Sequence, residues 1–203
     1  MKNGNPYDSV ADWYEKTFGG SENRYIKKFA GLVPKGSTVL DLACGVGDDT
    51  RFLLKKGFRV VSVDSSKHML AIARKKIPAQ KFIQKNMTKV SYPEEYFSGT
   101  VLAFALQHVS KKESVVLLRK LHTMIKKNGV IYLALQEGKG IKKRTVNWNP
   151  KKEISYWVNM YTFQEISKIL KSTGFNVIFR AKANPINKKA MQNKKLYVIA
   201  RKV

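Results

Sequence analysis

The sequence predicts an α/β fold built on a doubly wound sheet of seven strands. Short apolar runs rich in β-branched residues alternate with amphipathic helical segments, and the run at 100–106 is almost wholly apolar, as in a central strand covered on both faces. Two further strand patterns, at 175–180 and 195–201, are joined by a polar loop with no room for a crossover helix of normal length. The sheet is therefore expected to be mostly parallel, with an antiparallel C-terminal hairpin.

The elements can be assigned in order along the chain. Residues 8–18 and 22–32 carry apolar stripes at helical spacing and are separated by a Gly-Gly-Ser break. The strands of the parallel part are expected at 38–43, 59–63, 81–84, 100–106 and 130–135. The remaining helices are expected at 49–56, 66–76 (with Ser66 as N-cap), 114–126 and 162–172. The Lys/Asn-rich segments 138–153 and 181–195 are predicted to be loops.

Length and composition narrow the class of protein. The 203 residues suit a single compact domain, which we divide into an N-terminal helical segment, 1–33, and a core domain, 34–203. A single cysteine, Cys44, excludes an intramolecular disulfide framework. The N-terminus lacks the pattern of a secretory signal, and no apolar run is long enough for a membrane span. A monomeric, cytoplasmic protein without a membrane partner is therefore expected.

The net charge of +25 first suggests an anionic partner such as RNA. Residues 139–203 hold 16 of the 39 basic residues and 2 of the 14 acidic ones. The basic residues of 139–152 surround Trp148 and could engage RNA or an anionic small molecule. Lysine pairs also occur throughout the chain, however, and this spread favours a general compositional bias over one binding stripe.

The most informative segment is 39–50, where a strand ends in the turn Gly45-Val46-Gly47. Asp64 closes the next strand, 19 residues after Gly45, at the position from which a carboxylate can bind ribose hydroxyls. Asp48 and Asp49 open the following helix and would repel a pyrophosphate, whereas they suit a cationic ligand. The electrostatics thus favour S-adenosylmethionine, a sulfonium, over a dinucleotide.

The segment 41–47, with sequence DLACGVG, resembles motif I of the class I S-adenosylmethionine-dependent methyltransferases. Further segments are similar to the small-molecule group called methyltransferase type 11, in the same order along the chain. These segments are Tyr7–Tyr14, Asp64–Leu70, Leu106–Val109, Lys127–Gly129 and Tyr161–Phe175. The resemblance covers residues 7–180 and implies a Rossmann-like fold, an N-terminal lid, S-adenosylmethionine as cofactor and a small-molecule acceptor.

The resemblance also assigns expected roles to individual residues. Asp41 would hold the methionine ammonium through its neighbourhood, Gly45 and Gly47 would pass under the cofactor, and Asp64 would take both ribose hydroxyls. Asn86 stands where the family more often has an aspartate for the adenine amino group. The full set expected to border the cofactor is Tyr14, Asp41, Ala43, Cys44, Gly45, Gly47, Asp64, Ser65, Met69, Asn86, Met87 and Leu106.

Methyl transfer by in-line displacement requires alignment, exclusion of water and, for some acceptors, removal of a proton. His108 is predicted to act as a base or to position the substrate, and the alternative is that it orders its loop. Tyr161, like Tyr14, could contact the sulfonium through a cation–π interaction, and the alternative is packing. The three histidines and the scattered acids show no metal-ligand spacing, so no metal is expected.

Three functional hypotheses follow. The first is a methyltransferase that acts on a small molecule, which the basic segment would suit if the molecule is anionic. The second is an RNA- or ribosome-directed methyltransferase that uses the basic surface. The third is a binding module that retains the cofactor fold without catalysis, since Asn86 and Ser98 depart from the family's pattern.

Overall fold

The structure is a computed structural model that describes residues 5–20, 24–149, 152–184 and 194–203. Its main sheet has seven strands in the order β3-β2-β1-β4-β5-β9-β8, and a separate two-stranded sheet pairs β6 with β7. The strands are β1 Thr38–Leu42, β2 Arg59–Asp64, β3 Phe82–Gln84, β4 Phe97–Ala103, β5 Ile125–Gln136, β6 Ile141–Asn149, β7 Lys152–Asn159, β8 Phe175–Ala183 and β9 Lys195–Lys202. Strands β1 to β5 are parallel, while β9 runs antiparallel to both β5 and β8. The predicted seven-stranded, mostly parallel sheet with an antiparallel C-terminal hairpin is confirmed.

Six α-helices connect or flank these strands within the described residues. They are α1 Ala11–Phe18, α2 Ile26–Ala30, α3 Asp48–Lys55, α4 Lys67–Lys76, α5 Lys111–Met124 and α6 Phe163–Ser172. Ser66 is the N-cap of α4, as the sequence predicts, because its side chain accepts a hydrogen bond from the Met69 amide. No helix of the described residues is long and apolar enough to cross a membrane.

The sheet buries apolar side chains on both faces. Alternate residues of β1 show this division, since Leu40 belongs to the cluster that packs against α5 and α6, whereas Val39 belongs to the cluster that packs against α2 and α3. The β4 strand is fully buried from Phe97 to Leu102. The strand is thus covered on both faces, as expected of a central strand, and it also buries the polar residues Ser98 and Thr100.

The predicted boundaries of three elements in the middle of the chain are wrong. The fourth strand is expected at 100–106 but spans Phe97–Ala103, because Phe104 adopts a left-handed backbone (φ 54°) and a 3-10 helix covers Leu106–His108. The helix expected at 114–126 begins at Lys111, because Ser110 and Glu113 form a capping box. It ends at Met124, and β5 starts at Ile125 rather than at Val130.

The largest departure from the prediction is at 138–153, which is expected to be a loop. There the backbone forms β6 and then β7, an antiparallel pair that joins Ile141 to Asn159 and Lys143 to Trp157. The sequence offers only a weak alternation of apolar residues in β7, and the lysines of β6 hide its strand character. The side chains of 144–154, including Trp148 of the basic segment, lie outside the described part of the chain.

The parallel strands place one edge of the sheet where a ligand can be held. The carboxyl ends of β1, β2, β4 and β5 all lie at this edge, beside the turns that follow them. A short 3-10 helix, Pro6–Ser9, and α1 pack against α4 next to these turns. The residues expected to bind the cofactor mostly follow these strands.

Candidate functional site

The turn after β1 contains three left-handed residues, Ala43 (φ 60°), Gly45 (φ 54°) and Gly47 (φ 82°). Gly45 borders open space, because a Cβ atom placed there would meet no atom within 4 Å. Gly47 instead lies against α4, where a Cβ atom would be 3.2 Å from the Ala73 Cβ. The second glycine is thus required for helix packing, and the first leaves the backbone free for a ligand to approach.

Asp64 is fixed at the end of β2 by backbone amides on both sides. The Gly45 amide donates to Asp64 Oδ2 over 2.9 Å, and the Ser66 amide donates to Asp64 Oδ1 over 2.8 Å. Burial raises the pKa of Asp64, against the lowering effect of these hydrogen bonds. Each oxygen retains accepting capacity, so this rigid carboxylate can receive two hydroxyl groups from a ligand.

Asp41 lies below the turn and is 2% exposed. The Thr50 hydroxyl donates to Asp41 Oδ2 over 2.6 Å, and the same hydroxyl lies 2.9 Å from the Ser62 Oγ. Burial, and then the negative charge of Asp49, raise the pKa of Asp41 to about 8. A cation placed near this group would favour its charged form.

The N-terminal segment is attached to this edge through polar contacts. Asp8 Oδ1 accepts hydrogen bonds from the Ser66 Oγ over 2.6 Å and from the His68 amide over 3.1 Å. Lys76 on α4 forms ion pairs with Glu15 of α1, over 3.0 Å, and with Asp48 of α3, over 2.6 Å. The 3-10 helix and α1 are therefore anchored beside the turns after β1 and β2.

Four rings form a cluster at the same edge, which we call the aromatic cluster: Tyr7, Tyr14, His108 and Tyr156. The Tyr7 hydroxyl lies 2.8 Å from His108 Nε2 and also hydrogen-bonds to Tyr156. The Tyr7 ring centroid is 5.3 Å from that of His108 and 6.3 Å from that of Tyr14, both in edge-to-face geometry. The cluster therefore joins the N-terminal segment, the turn after β4 and the hairpin strand β7.

The aromatic cluster is electrically neutral at physiological pH. Burial lowers the pKa of His108 to about 4, so its imidazole is uncharged. Burial raises the pKa of Tyr7 and of Tyr14 far above their ordinary value, and the Asp64 charge adds to both shifts. A cation at this edge would be attracted by the π faces of the neutral rings and also by the neighbouring carboxylates.

The structure brings together some of the predicted site residues at this edge, namely Tyr14, Asp41, Ala43, Gly45, Asp64, Ser65 and His108. Met69 is 2% exposed and packs with Val46 and Ala11. Cys44 is buried, and burial followed by the Asp41 charge raises the pKa of its thiol. That thiol is protonated at neutral pH and is no candidate nucleophile.

Other predicted residues have structural contacts of their own. The Tyr161 hydroxyl lies 2.8 Å from the Ser114 Oγ inside the core, so its contact with a cofactor stays a prediction. Leu106 is fully buried, and Met87 packs against the same core. Asn86 Oδ1 accepts hydrogen bonds from the Thr88 amide and hydroxyl, both over 2.9 Å, which leaves only its amide donors for an adenine.

Sequence reasoning missed Tyr7 and Tyr156 of the aromatic cluster. It also missed Lys76, which forms ion pairs with Glu15 and Asp48. Tyr7 was used only as part of the lid motif, and Tyr156 lies in a strand that was not predicted. Lys76 shows no motif, because its importance depends on two acids that are distant in sequence. Within the described residues, no group of three or more His, Cys, Asp or Glu side chains could hold a metal ion.

Residues 39–129 match a family model described as a methyltransferase domain. A protein from Geobacillus sp. (strain WCH70) that is named as a methyltransferase is 29% identical over 136 residues, which are 62% of this chain and 55% of that protein. The chain spans about half the length of the curated relatives it matches. The matched segment contains the glycine turn, Asp64 and His108.

Solved structures agree with the fold. An S-adenosylmethionine-dependent methyltransferase from Methanosarcina mazei has a TM-score of 0.77 and 15% identity, covering 90% of this chain and 99% of that one. The 1,6-didemethyltoxoflavin-N1-methyltransferase from Burkholderia thailandensis, with bound 1,6-didemethyltoxoflavin and S-adenosylhomocysteine, has a TM-score of 0.71 and 18% identity. It covers 98% of this chain and 87% of that one. At these identities the similarity establishes the fold.

Proposed function

We propose that this chain is a class I S-adenosylmethionine-dependent methyltransferase that transfers a methyl group to a small-molecule acceptor. One observation carries the proposal: an open glycine turn, a rigid carboxylate and a neutral aromatic cluster meet at the carboxyl edge of the sheet. The segment 1–33 would then serve as a lid on the core domain 34–203. A monomer and a cytoplasmic location remain predictions, and the free Cys44 thiol is compatible with the latter.

The residues present fit S-adenosylmethionine. The space over Gly45 is one that a Cβ would fill, which suits a cofactor lying on the turn backbone. The Asp64 carboxylate would bind the ribose hydroxyls, since backbone amides already fix both of its oxygens. The nearby carboxylates and aromatic rings suit a ligand with ammonium and sulfonium charges.

When bound, S-adenosylmethionine supplies a methyl group activated by a positively charged sulfur. The chain's own residues would bind, orient and exclude water. Tyr7 and Tyr14 cover the edge from the lid side, where both are partly buried against Val46 and Met69. His108 is neutral and can accept a proton at Nε2 once an acceptor hydroxyl or amine takes the place of the Tyr7 hydroxyl.

The position of the aromatic cluster between the N-terminal segment and β7 favours a small acceptor over a polymer. Tyr7 from the lid and Tyr156 from β7 both pack against His108, with ring centroids 5.3 Å and 5.9 Å from that of the imidazole. A polymer would have to displace both elements to reach the imidazole. The Burkholderia methyltransferase of the same fold is named for a small heterocycle, which supports this reading.

Calorimetry tests the cofactor assignment. We expect the wild-type chain to bind S-adenosylmethionine and S-adenosylhomocysteine, and Asp64→Ala to lose about tenfold or more in affinity through two charge-assisted hydrogen bonds. Asp12→Ala, at an exposed acid of α1, removes the same charge and should bind as the wild type does. Undiminished binding by Asp64→Ala would overturn the assignment. A labelled-methyl assay on fractionated cell extract then identifies the acceptor class.

An RNA acceptor is a second candidate, supported by one surface feature. Trp157 on β7 is 64% exposed and lies directly opposite Lys143 on β6. An exposed aromatic ring next to a cation is a platform for single-stranded nucleic acid. If RNA is the acceptor, Trp157→Ala should weaken RNA binding and lower methyl incorporation into RNA. Incorporation confined to the small-molecule fraction excludes this candidate.

A further inference from the structure

Lys195 is a buried lysine at the cofactor edge that the proposed function does not use. It is the first residue of β9, pairs with Gln136 at the carboxyl end of β5 and is 5% exposed. Its ammonium lies 4.8 Å from the centre of the Phe104 ring. Because Phe104 follows β4, two strands away, the lysine side chain reaches back across the end of β5 toward the cofactor turn.

Lys195 has no acidic partner in the described part of the chain, and its contact there is the Phe104 ring. Glu137, the acid that follows β5, is engaged by Lys182. Burial, and then the charge of a second cation, Arg24, lower the pKa of the lysine. The ring of Tyr25, next to Arg24 in the chain, lies 5.0 Å from that of Tyr197 on β9. Arg24 also has no ion pair among the described residues. Two cations that meet with no acidic partner among the described residues repel each other, and an anion bound between them would relieve this repulsion.

The backbone at Phe104 is a second, independent observation. Its φ of 54° is a left-handed conformation that a bulky aromatic residue rarely adopts. The Phe104 amide donates to the Ala134 carbonyl over 2.7 Å, which holds this conformation in place. Strained residues of this kind are found mostly at ligand sites, and here the strain places a ring under the Lys195 ammonium.

The position of Lys195 is within electrostatic range of the cofactor turn. Tyr197 lies two residues further along the same face of β9, and its pKa responds both to Arg24 and to Asp49. Asp49 stands at the start of α3, directly after the glycine turn, and it also raises the pKa of Tyr14 on the lid. Tyr197 and Phe104 also belong to the apolar cluster that packs against α2 and α3, so this end of β9 lies on the face of the sheet that carries the helix after the glycine turn.

We propose that Lys195 and Arg24 form an anion-binding subsite that takes a carboxylate. The proposal rests on the proposed function, because the subsite adjoins the cofactor edge. The carboxylate could belong to the methionine part of the cofactor or to the methyl acceptor. The chemistry is the same in both cases: two cations share one oxyanion, and the Phe104 ring holds the lysine in position.

Binding measurements on the full chain distinguish the two sources. S-adenosylhomocysteine carries the carboxylate, whereas 5′-methylthioadenosine lacks it but retains the adenosine. If the cofactor supplies the carboxylate, Lys195→Met should weaken S-adenosylhomocysteine binding about tenfold and leave methylthioadenosine binding unchanged. If the acceptor supplies it, Lys195→Met should bind both ligands normally. It should then lose the binding of malonate that the wild type shows when saturated with S-adenosylhomocysteine.

The control is Lys143→Met, which removes the same charge from the exposed face of β6. Arg24 is exposed, so its replacement should not disturb folding. Arg24→Met therefore provides the same test if Lys195→Met fails to fold. The proposal is overturned if neither variant changes the binding of S-adenosylhomocysteine or of malonate, or if Lys143→Met reduces malonate binding equally. A wild type that binds methylthioadenosine while the variants show no effect leaves the proposed function standing. A wild type that binds neither nucleoside overturns the proposed function itself.

Discussion

Among single residues, Asp41 is the group whose charge cofactor binding should change most. Its pKa is raised to about 8 by burial and by Asp49, so the ligand-free protein holds it protonated at neutral pH. Cationic groups placed nearby favour the carboxylate, so binding of S-adenosylmethionine at pH 7 should release a proton. Calorimetry in two buffers of different ionisation enthalpy measures this release. Asp41→Asn should bind without it, and equal release by both proteins would contradict the assignment.

The same raised pKa determines how the stability of the ligand-free protein depends on pH. The folded protein keeps the Asp41 proton up to about pH 8. The unfolded chain loses this proton near the ordinary aspartate pKa of about 3.9. The free energy of unfolding should therefore fall as the pH rises across this window. Asp41→Asn has no such proton to lose. The melting temperature of this variant should therefore rise relative to that of the wild type as the pH goes from acid to neutral. Parallel pH curves for the two proteins would contradict this.

His108 should show an unusual pH profile if it acts as the base. Burial lowers its pKa to about 4, so the basic form is present at all pH values above that. The acid limb of kcat/KM should then lie near pH 4 rather than near the ordinary histidine value of about 6.5. A pH–rate profile with the identified acceptor tests this, and His108→Gln should abolish the limb together with most of the rate. A limb that persists in that variant belongs to another group.

How far the residues of the site could be predicted depends on whether their partners are local in sequence. The Gly45 turn and Asp64 are recognisable because a fixed spacing places them on neighbouring parallel strands. Tyr7 and Tyr156 reach His108 from segments about 100 and 50 residues away in sequence, and no spacing rule connects them. The Oδ1 contacts of Asn86 with Thr88 likewise appear only with coordinates.

At the scale of elements, the proposed N-terminal lid should be held closed mainly by Lys76. Its ammonium joins Glu15 of α1 to Asp48 of α3, and its side chain is 16% exposed, so water screens these pairs only in part. Lys76→Met should raise the dissociation rate of S-adenosylhomocysteine several-fold, because the lid opens more often. Lys75→Met, at the exposed neighbouring position, is the matched control. Stopped-flow dissociation rates that are equal in the two variants would rule out this role.

Elements were predictable where local chemistry determines them. The helix α4 begins as expected because Ser66 caps it. The C-terminal strands pair antiparallel, as expected from a connection too short to contain a crossover helix of normal length. The start of α5 was missed because the Ser110 capping box extends the helix beyond its apolar stripe. The β6–β7 hairpin was missed because its pairing, not its composition, makes it a sheet.

At the scale of the whole molecule, the net charge of +25 and the local acids act on a ligand at different distances. Asp41, Asp49 and Asp64 lie together at the cofactor edge, although basic residues dominate the chain. The sequence predicts this local exception, because these acids surround the glycine turn. Whether the positive field also selects an acceptor depends on Lys195 and Arg24, whose proximity arises from the folded sheet edge.

The opposing charges predict different salt dependences for the two cofactor forms. S-adenosylmethionine carries a net positive charge and must approach through the field of the whole protein, while S-adenosylhomocysteine is neutral overall. The Debye length shortens from about 30 Å at 0.01 M salt to about 10 Å at 0.1 M, which screens the distant charges before it affects contacts in the buried site. The association rate of S-adenosylmethionine should therefore rise several-fold over this range, and that of S-adenosylhomocysteine should stay nearly constant. Stopped-flow binding of both ligands measures the difference. A rate for S-adenosylmethionine that falls with salt would mean that the acids at the edge, rather than the net charge, steer the cofactor.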